Sequence, residues 1–305
     1  MAVRPIKNNQ ALHQKNSLPA RGGEVYGEVF SFLKEYHLDV RKNIGQNFLI
    51  REEPLILACE AADVGPDDFV LEIGPGPGTL TSRLAERAGA VAAIELDGRM
   101  ARGLQKKFSD NSKITIISGN ALETDTQGIY EKYSKGLNFK VVANIPYYIT
   151  SALLRHYLSN AFKPQIIVML IQKEVALQAT SQKNKSLLSL SVQYYGNADI
   201  AGEVPKDCFY PAPKIDSAFL RIRIHNLLPL IVDEDRFFSL ARHAFSQSRK
   251  TLPNSLSASM SIDKEEIVAI LREAGAEFLS IRAGALSLEQ WQKLYDTMHG
   301  RLLWK

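Results

Sequence analysis

Five apolar runs of strand length, separated by stretches of helical periodicity, constrain the fold of this chain more than any other feature. They are Phe69–Ile73, Val91–Ile94, Ile114–Ile117, Lys140–Ala143 and Ile166–Ile171. Strands that are apolar almost throughout are buried on both faces. The helical stretches Thr79–Ala88, Arg99–Phe108, Ser151–Ser159 and Lys173–Thr180 supply the covering layers. The pattern predicts an α/β fold, a mainly parallel sheet with helices on both faces. Two later segments, Leu187–Tyr195 and Ser217–Ile224, alternate apolar and polar residues as half-buried strands do. The second of them suits an antiparallel closing strand.

Upstream of the alternating region, Val29, Phe30, Leu33 and Tyr36 recur at helical spacing, and Pro54 suits the first turn of a further helix. The character changes after His225. Glu234–Phe245, Asp263–Ala274 and Leu288–Met298 read as amphipathic helices, and Asp263 followed by Glu266 has the spacing of a capping box. The expected organisation is a disordered basic tail over residues 1–26, an α/β domain over 27–225 and a small all-α domain over 226–305.

Hydrophobic residues at 45% and charged residues at 23% are ordinary for a soluble globular enzyme, and no apolar run reaches the ~20 residues of a membrane-spanning helix. Cys59 and Cys208 stand far apart without ligand-like spacing, which argues against a disulfide framework and a structural zinc site. A reducing, intracellular compartment fits this usage. The formal net charge of +4 is matched by Arg4, Lys7, Lys15 and Arg21 in an opening segment without acids. The rest of the chain is neutral, so any basic surface must come from local clustering. That opening segment reads as a disordered tail, with a mitochondrial transit peptide as the other reading.

The sharpest early motif is Glu72-Ile73-Gly74-Pro75-Gly76-Pro77-Gly78, placed between a strand and a helix. Glycines there let the backbone turn sharply and let a ligand lie against the peptide groups. A dinucleotide fingerprint requires glycine where Thr79 stands, so the pattern is GxGxG with an acid two residues ahead. Glu95, 21 residues beyond Gly74, ends the next strand, where a carboxylate can accept from both ribose hydroxyls of an adenosine. A nicotinamide site uses an acid at similar spacing, so Glu95 alone does not discriminate. Asn120 follows the third strand, either as an adenine-ring contact or as a simple turn residue.

Asn144-Ile145-Pro146-Tyr147 follows the fourth strand. Together with Gly45-Gln46-Asn47-Phe48-Leu49, the glycine loop, Glu95, Phe209-Tyr210-Pro211-Ala212-Pro213-Lys214-Ile215-Asp216-Ser217 and the block from Ala244 to Leu256, it makes an ordered set of motifs. In these residues the chain resembles the KsgA/Erm family of ribosomal RNA adenine N6-methyltransferases, over roughly residues 37–260. The resemblance implies a class I methyltransferase Rossmann-like fold and S-adenosyl-L-methionine as cofactor. It assigns cofactor contacts to Asn47, Leu49, Gly74, Gly76, Gly78, Glu95, Asn120 and Asn144. No metal is implied.

The chemistry fits these residue types. An adenine amino group is a poor nucleophile because its lone pair is delocalised into the ring. Asn144 and a backbone carbonyl near Ile145–Pro146 can accept from its two hydrogens, and Pro146 fixes that backbone. Tyr147 can stack on an adenine that has left its own stack, with Phe209 as the second wall. Ordinary core packing is the other reading of both rings. Tyr148 and Tyr210 read as packing or surface residues.

Lys42, Lys214, Arg221, Arg223, Arg242, Arg249 and Lys250 are candidates for RNA phosphate contacts, each with a plain solvated face as its alternative. The resemblance suggests dimethylation of two adjacent adenosines in the 3′-terminal hairpin loop of 16S ribosomal RNA. It places a monomeric cytoplasmic enzyme on a pre-30S particle, with residues 226–305 as an RNA-binding domain. The rivals are an Erm-type enzyme acting on 23S ribosomal RNA and a non-catalytic assembly or transcription factor of the same fold. Two departures from the family pattern stand out: Ser248-Arg249-Lys250, where two arginines commonly precede the lysine, and Arg282-Ala283-Gly284-Ala285-Leu286, which lacks an acid often found before the leucine. The N-terminal extension is also longer than usual.

Overall fold

The apolar runs form strands because they have nowhere else to bury both faces. A computed structural model of the chain describes residues 23–41, 45–183 and 185–301. The expected tail lies largely in residues 1–22, outside the described residues, as do Lys42 and residues 302–305. Helix α1 (Glu24–Glu35) carries Val29, Phe30 and Leu33 of the expected helical spacing, and Tyr36 follows it as its C-cap. The short strand β1 (Phe48–Leu49) and helix α2 (Glu52–Ala61) follow, with Pro54 in the first turn of α2.

The alternation then runs β2 (Asp68–Ile73), α3 (Thr79–Arg87), β3 (Ala90–Glu95), α4 (Gly98–Lys107), β4 (Ile114–Ser118), α5 (Thr126–Tyr133) and β5 (Asn138–Asn144). It continues through α6 (Thr150–Ser159), β6 (Ile166–Gln172), α7 (Lys173–Ala179), α8 (Leu187–Tyr195), β7 (Gly196–Val204), β8 (Phe209–Tyr210) and β9 (Ser217–Ile224). The last elements are all helical: α9 (Glu234–Phe245), α10 (Leu252–Met260), α11 (Lys264–Ala274) and α12 (Leu288–Gly300).

Seven strands form one sheet in the order β4-β3-β2-β5-β6-β9-β7, and β1 pairs with β8 in a second, two-stranded sheet. The pairings β2–β3, β2–β5, β3–β4 and β5–β6 are parallel. Strand β9 runs against β6: Lys173 donates to the Asp216 carbonyl at one end and Ile224 to the Gln165 carbonyl at the other. The antiparallel strand expected at Ser217–Ile224 is therefore present, but it lies inside the sheet, and β7 forms the edge.

The alternating segment Leu187–Tyr195 is helix α8, not a strand. The Ser186 hydroxyl accepts from Ser189 N–H while the Ser189 side chain accepts from Ser186 N–H, a reciprocal cap that starts a helix. Leu190 and Tyr194, four residues apart, are both fully buried, so one helical stripe serves the core as well as an alternating face would. At α11, Asp263 is the N-cap, but it accepts from Glu265 N–H and the capping box expected with Glu266 is not formed.

The chain divides into two compact units. The first holds the residues up to Thr150 with Ile166–Lys173 and Ile200–Arg221; the second holds Ser151–Gln165, Glu174–Asp199 and everything from Ile222 onward. In the first, the sheet core joins Val70, Val91, Val142, Val168 and Leu170 to Leu55, Leu80 and Leu84 of the covering helices. In the second, Tyr194, Phe237 and Trp291 are fully buried, with Tyr194 and Phe237 stacked at 5.4 Å and Phe237 edge-on to Trp291 at 5.9 Å. No helix among the described residues is long and apolar enough to cross a membrane.

Strand β5 is pinned at its beginning by a buried charge pair. The Lys140 ammonium lies 2.8 Å from Asp68, both side chains 7% exposed, and it also donates to the Asp63 carbonyl. Asp68 in turn accepts from Gly65 N–H at 2.7 Å. Removing one partner of such a pair leaves an unpaired buried charge. Lys140→Met is therefore expected to lower unfolding stability by about 3–5 kcal/mol in urea titration. A loss under about 1 kcal/mol would mean that solvent reaches the pair.

Candidate functional site

Strands β3 and β4 lie to one side of β2, whereas β5 and β6 lie to its other side, so the strand order reverses between β2 and β5. In open parallel sheets the carboxyl ends of the strands at such a reversal leave a crevice, and ligands bind there. The glycine loop follows β2, and Asn144 ends β5. A side chain at Gly74 would come within 3.4 Å of the Asn144 carbonyl, so the two motifs touch through their backbones.

The three glycines are required for different reasons. Gly74, Gly76 and Gly78 have φ of 71°, 54° and 78°, the left-handed region that other residues occupy only with strain. A Cβ at Gly76 would press on the Phe48 ring at 3.0 Å, and one at Gly78 would strike Leu104 and Phe108 at 2.8 Å. The loop is thus sandwiched between strand β1 and helix α4. Lys107 secures it from below, donating to the Pro77 carbonyl at 2.9 Å with its ammonium over the rings of Phe32 and Phe108. Burial lowers the pKa of this lysine.

Two carboxylates face the loop. Glu95, 7% exposed, accepts from Gly76 N–H at 3.3 Å and from Asp97 N–H at 2.9 Å. Its pKa is raised by burial, against the pull of those backbone donors. Glu72 is more enclosed, 1% exposed, and its Oε2 has no hydrogen-bond partner among the described residues. Burial pushes its carboxyl up to about 8. The neighbouring Thr81 hydroxyl and Lys107 favour its ionised form without offsetting that burial.

The strand pairing of β1 with β8 sets Phe48 opposite Tyr210 and Leu49 opposite Phe209, joining motifs about 160 residues apart. Leu49 and Phe209 are both in the apolar core. The Phe209 ring is 4% exposed, so in this structure its role is core packing with little face left for a base. Asn47 is half-buried and donates to the Gly45 carbonyl at 3.0 Å, and a Cβ at Gly45 would meet Pro146 at 3.4 Å. The segment before β1 therefore abuts the Asn144–Tyr147 motif.

Asn144 is half-buried, and its side chain has no hydrogen-bond partner among the described residues. Pro146 opens a short turn in which its carbonyl accepts from Ile149 N–H at 3.2 Å. The Tyr147 hydroxyl lies 2.6 Å from the hydroxyl of Ser217, which is fully buried at the start of β9. Burial raises the Tyr147 pKa. Tyr148, by contrast, is 68% exposed.

Asn120 behaves as a turn residue: its oxygen accepts from Leu122 N–H at 3.1 Å and its amide donates to Glu123 at 2.8 Å. The oxygen keeps a second lone pair, so a ring contact remains available to it. The phosphate candidates separate by burial. Lys214, Arg242, Arg249 and Lys250 are exposed, and Arg223 pairs with Asp199 at 3.4 Å. Arg221 is 7% exposed and engaged inside the protein, which turns that cation inward, away from any phosphate. Sequence reasoning did not single out Lys107 under the loop or the bond from Ser217 to Tyr147. Each pairs residues about 30 or 70 positions apart, which only the fold brings together.

Residues 37–289 match the ribosomal RNA adenine dimethylase family. The ribosomal RNA small subunit methyltransferase A of Dehalococcoides mccartyi is 41% identical over 272 residues, covering 88% of this chain and 92% of the relative. The protein of the same name from Oceanobacillus iheyensis is 37% identical, covering 92% of this chain and 95% of the relative. Among solved structures, a dimethyladenosine transferase from Plasmodium falciparum superposes with a TM-score of 0.70 at 23% identity, over 83% of this chain and 98% of that one. The 23S rRNA methyltransferase ErmE superposes with a TM-score of 0.62 at 28% identity, over 83% and 99% of the two chains. With its glycine loop and Asn144 meeting at the reversal of the sheet, this chain belongs to the ribosomal RNA adenine dimethylase family.

Proposed function

We propose that the chain is an S-adenosylmethionine-dependent ribosomal RNA adenine dimethyltransferase. Its substrate is two adjacent adenosines in the 3′-terminal hairpin loop of 16S ribosomal RNA, met as a cytoplasmic monomer on an assembling small subunit. The observation that carries the reading is Asn144, whose amide lacks a partner beside a glycine loop built for close approach. The identity of 41% to a small-subunit enzyme, against 28% to ErmE, favours the small subunit as substrate.

The residues fit the cofactor. Three left-handed glycines leave the loop bare, Glu95 stands at the strand end where ribose hydroxyls are held, and the unpartnered Glu72 oxygen supplies an acceptor beneath. Gly74, Gly76, Gly78 and Glu95 would hold it, with Asn47, Leu49 and Asn120 around them. When bound, S-adenosylmethionine would supply an electrophilic methyl group and a positive charge, and that charge would favour ionisation of the enclosed acids beside it.

Asn144 and the carbonyls at Ile145–Pro146 act on the other reactant. They accept from the adenine N6 hydrogens, which draws the nitrogen out of conjugation and aims its lone pair. Pro146 keeps that backbone fixed, and its own carbonyl still has one lone pair beyond the bond from Ile149. This is catalysis by positioning and electrostatic complementarity, with no strong base required. Tyr147 supplies a stacking face, and Ser217 fixes the ring by its hydroxyl. Lys214, Arg249 and Lys250 hold RNA phosphates, with Arg242 and residues 226–305 as the helical RNA-binding part. Lys42 belongs to the same proposal.

The direct test supplies labelled S-adenosylmethionine with under-methylated small subunits and, separately, with free large-subunit RNA. N6,N6-dimethyladenosine from small subunits alone is expected; label in large-subunit RNA alone would sink the substrate assignment. Asn144→Ala should lower kcat by about 10²–10³-fold, as loss of one preorganised acceptor does. Cofactor affinity by calorimetry should stay within a few-fold, and full activity would remove Asn144 from catalysis.

Ser217→Ala should raise KM for RNA more than it lowers kcat, and Ser217→Thr should recover part of the loss. Equal changes in both variants would show that the hydroxyl does not orient Tyr147. For Glu72, whose folded pKa of about 8 lies above its ordinary 4.5, stability is lost as pH rises between those values. The melting temperature of the cofactor-free protein should therefore fall against that of Glu72→Gln from pH 5 to 8. Parallel curves would mean that Glu72 ionises in the folded state as it does in the unfolded chain.

A further inference from the structure

The turn at the tip of the glycine loop rests on one cation. Pro75 and Pro77 have no backbone N–H to donate, and the three glycine N–H groups are all engaged. Gly74 donates to the Ile94 carbonyl at 3.0 Å, Gly76 to Glu95 at 3.3 Å and Gly78 to the Pro75 carbonyl at 2.9 Å. The last bond closes a four-residue turn with the left-handed Gly76 and then Pro77 at its centre. Pro77 is buried, and the ladder of α3 begins one residue too late to serve its carbonyl, since Ser82 N–H donates to Gly78. Among the described residues the Lys107 ammonium, at 2.9 Å, is the donor that meets it. A buried carbonyl needs a partner, so the shape of the turn depends on this lysine.

The surroundings of Lys107 leave its hydrogens for that carbonyl. The ammonium forms no salt bridge among the described residues. Glu28 and Glu35 of α1 and Glu72 of β2 attract it, and Arg83 of α3 repels it. Glu28 is itself held by Arg83 at 2.7 Å, and Arg83 is shared with Glu52 at 2.8 Å. On its own helix Lys106 lies over the Tyr36 ring at 5.9 Å. The Lys107 ammonium stands 5.6 Å from the centre of the Phe32 ring and 5.0 Å from that of Phe108, two faces that favour a cation without accepting a strong hydrogen bond.

We infer that Lys107 is a positioning residue for the cofactor: its charged ammonium holds the Gly76–Pro77 turn in the shape that receives the ligand, without touching the ligand. The inference rests on the S-adenosylmethionine reading above and adds to it a residue of α4, outside the loop. Removing the ammonium leaves the Pro77 carbonyl buried without a donor. Deprotonating it has a smaller effect of the same sign, because a neutral amine is a weaker donor and loses its attraction to the two rings. Burial lowers the pKa of this lysine from its ordinary value of 10.5, so the held form is present at neutral pH and is lost as pH rises through that lowered value.

The test uses the full-length protein, Lys107→Met and Lys107→Arg, with a thermal melt to check each fold. The probe is S-adenosylhomocysteine, the demethylated product, titrated by calorimetry from pH 7 to pH 10. At neutral pH Lys107→Met should bind about tenfold more weakly than wild type, as loss of a hydrogen bond from a charged group does, and Lys107→Arg should recover most of that. Toward pH 10 wild type should fall toward Lys107→Met, while Lys107→Arg, charged throughout, holds its affinity. Glu72 and the ligand's own amine titrate alike in wild type and Lys107→Arg, so the ratio of these two isolates the lysine. Hydrogen exchange of the 72–80 segment in the ligand-free protein should be faster in Lys107→Met than in the other two. Equal affinity in Lys107→Met and wild type overturns the inference. So does a ratio of wild type to Lys107→Arg that stays constant with pH, which would assign the lysine to packing by its stem. That ratio decides alone if Lys107→Met does not fold. If wild type binds no S-adenosylhomocysteine, the cofactor reading fails, and the exchange comparison decides whether Lys107 holds the turn.

Discussion

The close approach of the glycine loop to the end of β5 is the constraint on which the rest of the site depends. Gly74, at φ 71°, turns the chain beside the Asn144 carbonyl, where a Cβ would already be in van der Waals contact at 3.4 Å, and both lie at the reversal of strand order. Widening that contact would move the end of β5 away from the glycine loop. Much of the surrounding packing holds the two in register. Phe48 and the α4 residues Leu104 and Lys107 confine the loop, while the parallel pairing of Asn138–Ala143 with Asp68–Ile73 fixes the height of β5 against β2. Lys140 and Asp68 bolt the same two strands at their opposite ends.

A second tier of contacts ties distant motifs to this centre. Strand β1 brings Leu49 against Phe209, and the hydroxyl pair of Tyr147 and Ser217 closes the loop between the catalytic turn and β9. These links are short and specific, one ladder and one hydrogen bond, and each hydrogen bond contributes only about 0.5–1.5 kcal/mol to stability. Their value is geometric. A tyrosine ring held at its tip by a buried serine is restricted in orientation before any ligand arrives.

The sequence made much of this legible, for an identifiable reason. The five buried strands and the glycine loop are local patterns, and local patterns are read directly from residue order. Leu187–Tyr195 failed because two neighbouring readings fit the same letters; Leu190 and Tyr194 satisfy either an alternating or a helical face, and the Ser186–Ser189 cap decided. Arg221 misled because position along a strand does not show depth: Arg221 is 7% exposed, while Arg223, on the same face and nearer the strand end, is exposed. Phe209 was legible as part of a motif but not as a ring 4% exposed in the core. The pairing of β1 with β8 and the pKa of Glu72 had no local signal at all, since both arise from residues brought together only by folding.

The electrostatics follow a division of labour that whole-chain charge conceals. A cationic cofactor favours acids, whereas a polyanionic RNA favours bases, and neither set can be exposed beside the other without loss. Glu72 and Glu95 are enclosed, at 1% and 7% exposure, so that whatever charge they carry acts on the loop and little beyond it. The exposed cations Arg242, Arg249 and Lys250 belong to the other compact unit. A chain whose charge balances to zero outside its first residues can therefore still grip RNA, because binding responds to the local field and not to the sum.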